Sequence, residues 1–371
     1  MQRQTESMNA VVRFFRKPYR YAAAFSLFLA AASAFTLLDA FVIPRAYQKA
    51  VEATEPVEAM AAIEAMEAME AMETTEATEA TVAMETTGAA VATEATVAMD
   101  TTEAAVATEA MESTEATEAT EGAEVRTLAD PAITATSYKD ENIDISIETL
   151  RAYDTDVYIA DVKVSGATYL KAAFAKDIYG RNINEKTSAI ADKKNAIFAV
   201  NGDYYGFRDY GWVLRNGVLY RSTGSDGALL MDMAGDFSYD SDDASIAART
   251  QNLWQIWSFG PPLVVGGAIS VTEGQEISGR SSNSNPRTAI GQAGELHYVF
   301  IVSDGRARAS AGLSLYELAM LFEERGCHIA YNLDGGGSSA MYFNGRVINN
   351  PTTDGRKIRE REVSDIVYIG Y

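Results

Sequence analysis

Four short segments hold residue types that could do chemistry. The strongest is Asn332-Leu333-Asp334-Gly335-Gly336-Gly337-Ser338-Ser339, at the end of an apolar segment. Three glycines let a backbone approach a ligand closely, and successive N–H groups can form an anion-binding nest. No Lys follows the glycines, so this is not a Walker loop; the plainer alternative is a flexible hairpin loop. In Asn285-Pro286-Arg287-Thr288-Ala289, the proline fixes the backbone ahead of a strand and holds Arg287 in place. A guanidinium offers a planar fork of donors suited to phosphate or carboxylate, and equally to a surface ion pair. Ser303-Asp304-Gly305-Arg306 ends the apolar run YVFIV; a charged pair there marks a site or a simple loop. Asn201-Gly202-Asp203-Tyr204-Tyr205-Gly206-Phe207 puts polar groups at a strand end, followed by aromatics. That arrangement suits a sugar platform, or a turn with core aromatics.

Scarcity narrows the chemistry. The chain has two histidines, His297 and His328, and one cysteine, Cys327. A disulfide framework and a Cys-rich zinc site are excluded. A Ser-His-Asp triad built on Ser338 is disfavoured, because His297 lies inside a strand pattern and His328 begins another. Acid and base work falls to carboxylates, chiefly Asp203, Asp304 and Asp334. Cleavage at a sugar C1 commonly uses such groups.

The elements that must position these residues are mostly strands. Segments 143–147 and 157–164 alternate apolar and polar residues. Asn216-Gly217, Gly266-Gly267 and Asn344-Gly345 each separate two short strand patterns, which predicts three tight hairpins. Ser314-Leu315-Tyr316-Glu317 is a capping box that starts a helix, with Leu315, Leu318, Ala319 and Phe322 on one face and Gly326 as its stop. A second helix is expected around 184–194. The fold class is α+β: a hairpin-rich mixed or antiparallel sheet with one or two packed helices.

Four regions precede or make up that fold. Residues 1–20 form a basic tail with Arg3, Arg13, Arg16, Lys17 and Arg20. Residues 21–43 run apolar with Asp39 as the one charge, which predicts a transmembrane signal anchor, N-terminus in the cytoplasm. A cleaved signal peptide ending at Ala32-Ser33-Ala34 is the rival reading. Both put the C-terminal domain outside the cytoplasm. Residues 44–125 are expected to be an acidic stalk rich in Ala, Glu, Thr and Met. Residues 51–125 hold nineteen acidic residues and no Lys or Arg, so they carry most of the net charge of -21. EATVAMETTGAAVAT at 79–93 recurs as EATVAMDTTEAAVAT at 94–108, and such a sequence cannot bury a core. Residues 126–371 are the folded domain. No basic stripe is present, so nucleic acid is not an expected partner.

Taken together and in order, Asn201-Gly202, the Asn285–Ala289 segment, Ser303-Asp304-Gly305-Arg306 and the Asp334-Gly335-Gly336-Gly337-Ser338-Ser339 loop resemble the motifs of the phosphodiester glycosidase family. That family includes the mannose-6-phosphate uncovering enzyme and bacterial exopolysaccharide biosynthesis protein-like members. The resemblance spans about 195–371. One departure is Asp203-Tyr204-Tyr205, where many relatives have Gly-Phe-Phe. The resemblance implies hydrolysis of the bond between a sugar anomeric carbon and phosphate, in a glycan or cell-envelope phosphodiester. It implies Asp334, with Asp304 second, as the catalytic carboxylate. Arg287, Gly335, Gly336, Gly337 and Ser338 would bind phosphate. Asn201, Asp203, Tyr204 and Arg306 would touch substrate. Asp304 and Asp334 holding a divalent cation is the alternative role for that pair. The competing function is a non-catalytic, cell-surface polysaccharide-binding or biosynthesis accessory protein.

Overall fold

The computed structural model describes residues 18–50, 130–224, 226–275 and 284–371. The chain divides into two units, one of residues 1–53 with 130–371 and one of residues 54–129. Past residue 50, the expected stalk lies outside the described residues.

In chain order, the elements that build or brace the site are α1 (Pro18–Phe41), β1 (Arg45–Lys49), β2 (Ile178–Arg181), β3 (Phe198–Asn201), β4 (Gly211–Arg215), β5 (Leu253–Trp257), β6 (Arg287–Gly294), β7 (His297–Ser303), α2 (Leu315–Glu323), β8 (Ile329–Asn332) and β9 (Asp365–Ile369). Strands β8, β6 and β7 are consecutive neighbours inside a nine-stranded sheet; β3 and β9 adjoin in a five-stranded sheet, and β4 and β5 in another. These pairings are antiparallel.

Alternation along the strands decides the layers, because successive side chains point to opposite faces. Ile290, Tyr298, Phe300 and Val302 of the large sheet share a core with Phe198, Val200, Val367 and Trp257 of the two smaller ones. The intervening residues Ala289, Val299 and Ile301 face the other way and meet Leu315, Leu318, Ala319 and Phe322 of α2. The capping box of α2 forms as expected, with Ser314 and Glu317 each accepting from the other's backbone N–H. Helix Thr187–Lys193 covers the outer face of the β3–β9 sheet through Ile190 and Ala191.

Helix Asp243–Arg249 packs Ile246 on the outer face of the β4–β5 sheet. It adds a third helix where the sequence predicts one or two. Its seven residues bury a single side chain, so no apolar stripe announces it. The three hairpins form as expected. Asn216, Gly217, Gly266, Gly267, Asn344 and Gly345 all have positive φ, the geometry that two-residue hairpin turns require.

The expected transmembrane helix is not supported: among the described residues, no helix is long and apolar enough to cross a membrane. The segment does fold as helix α1, over Pro18–Phe41 rather than 21–43. It ends against the domain, where Asn182 Nδ2 donates to the Asp39 and Ile43 carbonyls at 3.3 and 3.0 Å.

Candidate active site

Five strand ends converge on one cleft. The chain leaves β3, β5, β7 and β8 and enters β6 at the same edge, so segments far apart in sequence face each other. The cleft has a volume of ≈ 800 Å³. Of the residues singled out from sequence, Tyr204, Arg287, Arg306, Asp334, Gly335 and Gly336 line it. Asn201, Asp203, Asp304, Gly337 and Ser338 do not.

Asp334 follows β8 and is fixed at both backbone ends. Its N–H donates to the Gly202 carbonyl at 3.2 Å. Its carbonyl accepts from Asn201 Nδ2 at 2.6 Å. Asn201 is itself buried, accepting from Thr288 Oγ1 and the Ala340 N–H, so it positions Asp334 rather than meeting a ligand. The Asp334 carboxylate accepts from Ser338 Oγ at 2.5 Å and from Arg361 Nη2 at 3.2 Å. Burial raises its pKa above the ordinary carboxylate range, while Arg361 and Ser338 work against the rise. Ser338 Oγ also accepts from Arg361 Nε at 2.9 Å, which makes it a bridge within the protein and not a phosphate ligand.

The glycine loop works differently from an open nest. Gly336 N–H donates to the Pro286 carbonyl at 2.8 Å, and the Ser338 and Ser339 N–H groups close a short helical turn. What the glycines provide is approach. A Cβ on Gly335 would sit 2.9 Å from the Pro286 carbonyl, and one on Gly336 would sit 2.8 Å from Arg306 Nη2. Gly336 also has φ +62°. Without side chains, the Asp334 loop packs directly on the segment carrying Arg287 and on the Arg306 guanidinium. Gly337 faces away, where a Cβ would lie 2.4 Å from Thr353 Oγ1.

Arg287 heads β6 and is buried, with Nε donating to the Leu313 carbonyl at 2.9 Å. Burial, and then the Arg306 charge, bring its pKa down to about 10, so it stays protonated at neutral pH. Arg306 is braced by Asn285 Oδ1 at 3.2 Å and the Thr353 carbonyl at 2.9 Å. Two guanidiniums close enough to feel each other's charge make a fork for an anion.

Asp304 is not in the cleft. Its carboxylate accepts from the Asn350 N–H and Asn350 Nδ2, both at 2.8 Å, and from Tyr158 OH at 3.4 Å. It pins the 349–353 loop, whose Thr353 holds Arg306. Its two oxygens are therefore spent on the scaffold. Among the described residues, no three His, Cys, Asp or Glu side chains cluster in a way that suits a metal ion. The divalent-cation role for Asp304 and Asp334 gains no support from this geometry.

Asp203 is also scaffold. Arg215 on β4 donates through Nη2 to both Asp203 and Asp365 at 2.9 Å, with all three side chains at most 2 % exposed. Asp203 also accepts from the Tyr205 and Ser258 N–H groups, tying the 203–207 turn to the end of β5. The departure at Asp203-Tyr204-Tyr205 thus has a physical role: the extra carboxylate belongs to a buried ion cluster.

Sequence reasoning missed several cleft residues. Arg361 contacts Asp334 but sits in the charge-rich stretch 356–362, which reads as a solvated loop. Arg208 lies over the rings of Phe259, Tyr210 and Tyr204 at 4.8, 5.5 and 5.8 Å, building an aromatic-cationic wall. Asp226 is the one carboxylate besides Asp334 among the described lining residues. The Arg208-Asp209-Tyr210 run beside the aromatics was the available signal for that wall.

Comparison with known proteins bears on this geometry. Residues 194–370 match the family model described as phosphodiester glycosidase. The chain is 31% identical over 209 residues to an uncharacterized SPbeta prophage-derived protein, YomE, of Bacillus subtilis strain 168. That match takes in 52% of this chain and 31% of the relative, so the chain spans about a third of that protein's length. The catalytic domain of zebrafish N-acetylglucosamine-1-phosphodiester alpha-N-acetylglucosaminidase superposes with TM-score 0.50 at 19% identity, over 62% of this chain and 83% of that one. This likeness shows the fold. A hypothetical protein from Synechocystis superposes with TM-score 0.45 at 14% identity, covering 62% of each chain.

Proposed function

We propose, from the match of residues 194–370 to the phosphodiester glycosidase family model, that the cleft hydrolyses the bond between a sugar anomeric carbon and phosphate. One observation carries the reading. The glycine loop after Asp334 packs against the segment that carries Arg287 and against the Arg306 guanidinium, and Asp334, Arg287 and Arg306 line the same cleft. A carboxylate for the anomeric carbon and a cationic fork for the departing phosphate thus share one cleft.

The chemistry suits these groups. The leaving group is a phosphate monoester with a second pKa of roughly 6, so it needs little help from a general acid. Arginines that meet the departing charge stabilise it as it develops. Arg361 and Ser338 orient the Asp334 carboxylate and favour its ionised form against the cost of its burial. Tyr204, Tyr210 and Phe259, with Arg208 above them, offer a flat wall for the sugar. An extracytoplasmic site of action is part of the proposal and rests on the sequence alone, where basic residues precede an apolar run as in an export signal. An alkaline phosphatase fusion to Tyr371 tests that placement, since the reporter is active only outside the cytoplasm.

Hydrolysis of a sugar-phosphate diester in oxygen-18 water tests the reaction itself. The label is expected on the sugar C1 hydroxyl, with none in phosphate. Label in phosphate would mean attack at phosphorus. No turnover across a panel of sugar-phosphate diesters, with binding retained, would identify a polysaccharide-binding module instead.

A further inference from the structure

The segment just after α1 is built into the folded domain. Strand β1 pairs antiparallel with β2, with Arg45 opposite Arg181 and Lys49 opposite Ile178. The Ala50 N–H extends the contact to the Asp177 carbonyl at 2.8 Å. Tyr47 lies against Tyr179, ring centroids 5.8 Å apart. Gly180 admits the strand: a Cβ there would lie 2.1 Å from the Arg45 carbonyl oxygen and 3.0 Å from Ala46 Cα. Asn182, next after β2, holds the end of α1 by its Asp39 and Ile43 carbonyls.

The same strand pair supports the cleft wall. The Asn182 N–H donates to the Gly206 carbonyl at 3.0 Å. Tyr179 stacks on Tyr205 at 5.3 Å, and Arg181 pairs with Asp209 at 2.6 Å. Tyr204 and Arg208, which line the cleft, flank this turn.

We propose that residues 39–50 are a clip that fastens α1 directly to the folded domain and braces the Tyr204–Arg208 wall. These contacts, and not only the covalent chain between Ala50 and Asp130, then hold helix and domain together. The partner that fits the β2 edge is this chain's own β1, bound by main-chain pairing as an added strand. A covalent tether raises its effective concentration, but the contacts themselves hold it. This inference does not depend on the catalytic reading.

The test cuts the supposed link. A site-specific protease sequence is inserted after Thr93 of the full chain, and the protein is cleaved in mild detergent until a denaturing gel shows no intact chain. The two fragments are expected to co-elute in one size-exclusion peak. Separation of the wild-type fragments would overturn the proposal. Ala46→Pro changes only the strand and removes a backbone donor. Cleaved protein carrying it is expected to shed the N-terminal fragment, with amide exchange at residues 204–208 about tenfold faster as the wall opens locally. Gly180→Val should act in the same way from the other side. Fragments that co-elute equally well in both variants would also overturn the proposal, because β1 would not be the fastening.

Discussion

Two arginine–aspartate clusters in this domain share their chemistry and differ in their surroundings. Asp334 and Arg361 border the cleft, with side chains 13 % and 39 % exposed. Asp203, Arg215 and Asp365 are at most 2 % exposed. In the first, the arginine can exchange part of its contact for water or substrate. In the second, every group has given up water. The same residue types thus line an open cleft in one place and hold the scaffold together in the other. What separates them is access.

The largest expected effect breaks the cleft cluster and spares the buried one. Asp334→Asn should lower hydrolysis by about 1000-fold or more, a barrier increase of roughly 4 kcal/mol. Its melting temperature should stay within about 2 °C, because the side chain keeps its size and hydrogen-bonding reach. A comparable loss of stability and activity would place Asp334 in the scaffold.

Arg215→Met should do the reverse. It leaves Asp203 and Asp365 buried without a counter-charge, which costs about 3–5 kcal/mol in urea or guanidinium unfolding. A loss under about 1 kcal/mol would show that water reaches the cluster. Arg287→Lys is expected to lower kcat/KM by about tenfold, since a point charge cannot reproduce a fork of donors. An unchanged value removes Arg287 from the phosphate site.

Two pH experiments sharpen the contrast with smaller effects. Asp334 has a raised pKa and, in the proposed reaction, acts as the carboxylate, so kcat/KM should fall as pH drops through that raised value. Arg361 opposes the rise, so Arg361→Gln should move this acidic limb to higher pH. An unmoved limb would detach Arg361 from the carboxylate. Asp365 is also raised, by burial with Asp203 adding to it against Arg215. A carboxyl whose folded pKa lies above its unfolded value holds more protons when folded. Stability therefore falls as pH rises from the ordinary carboxylate range towards the raised value. Asp365→Asn should flatten that slope in unfolding measurements.

Legibility followed the range of each interaction. Asn216-Gly217, Gly266-Gly267 and Asn344-Gly345 were readable because a two-residue turn is decided by its own backbone. The α2 start was readable because Ser314 and Glu317 cap each other within one turn. Within the site, Asp334, Arg287 and Tyr204 were readable as groups at strand ends. Asp304 occupies a similar position, yet its carboxylate turns to Asn350. No local pattern distinguishes a strand-end aspartate that faces a cleft from one that pins a loop.

By itself the sequence determined the strand-rich domain, its hairpins, the α2 cap and the segments that supply the cleft. Each of these rests on propensity, periodicity or turn chemistry within a few residues. The tertiary structure alone decided that Arg361 reaches Asp334, that Asp203 is buried on Arg215, and that β1 pairs with β2 across 128 or more intervening residues. Those contacts join elements whose order along the chain carries no record of their distance in space. Their energies come from exclusion of water and mutual approach, which exist only once the sheets have packed.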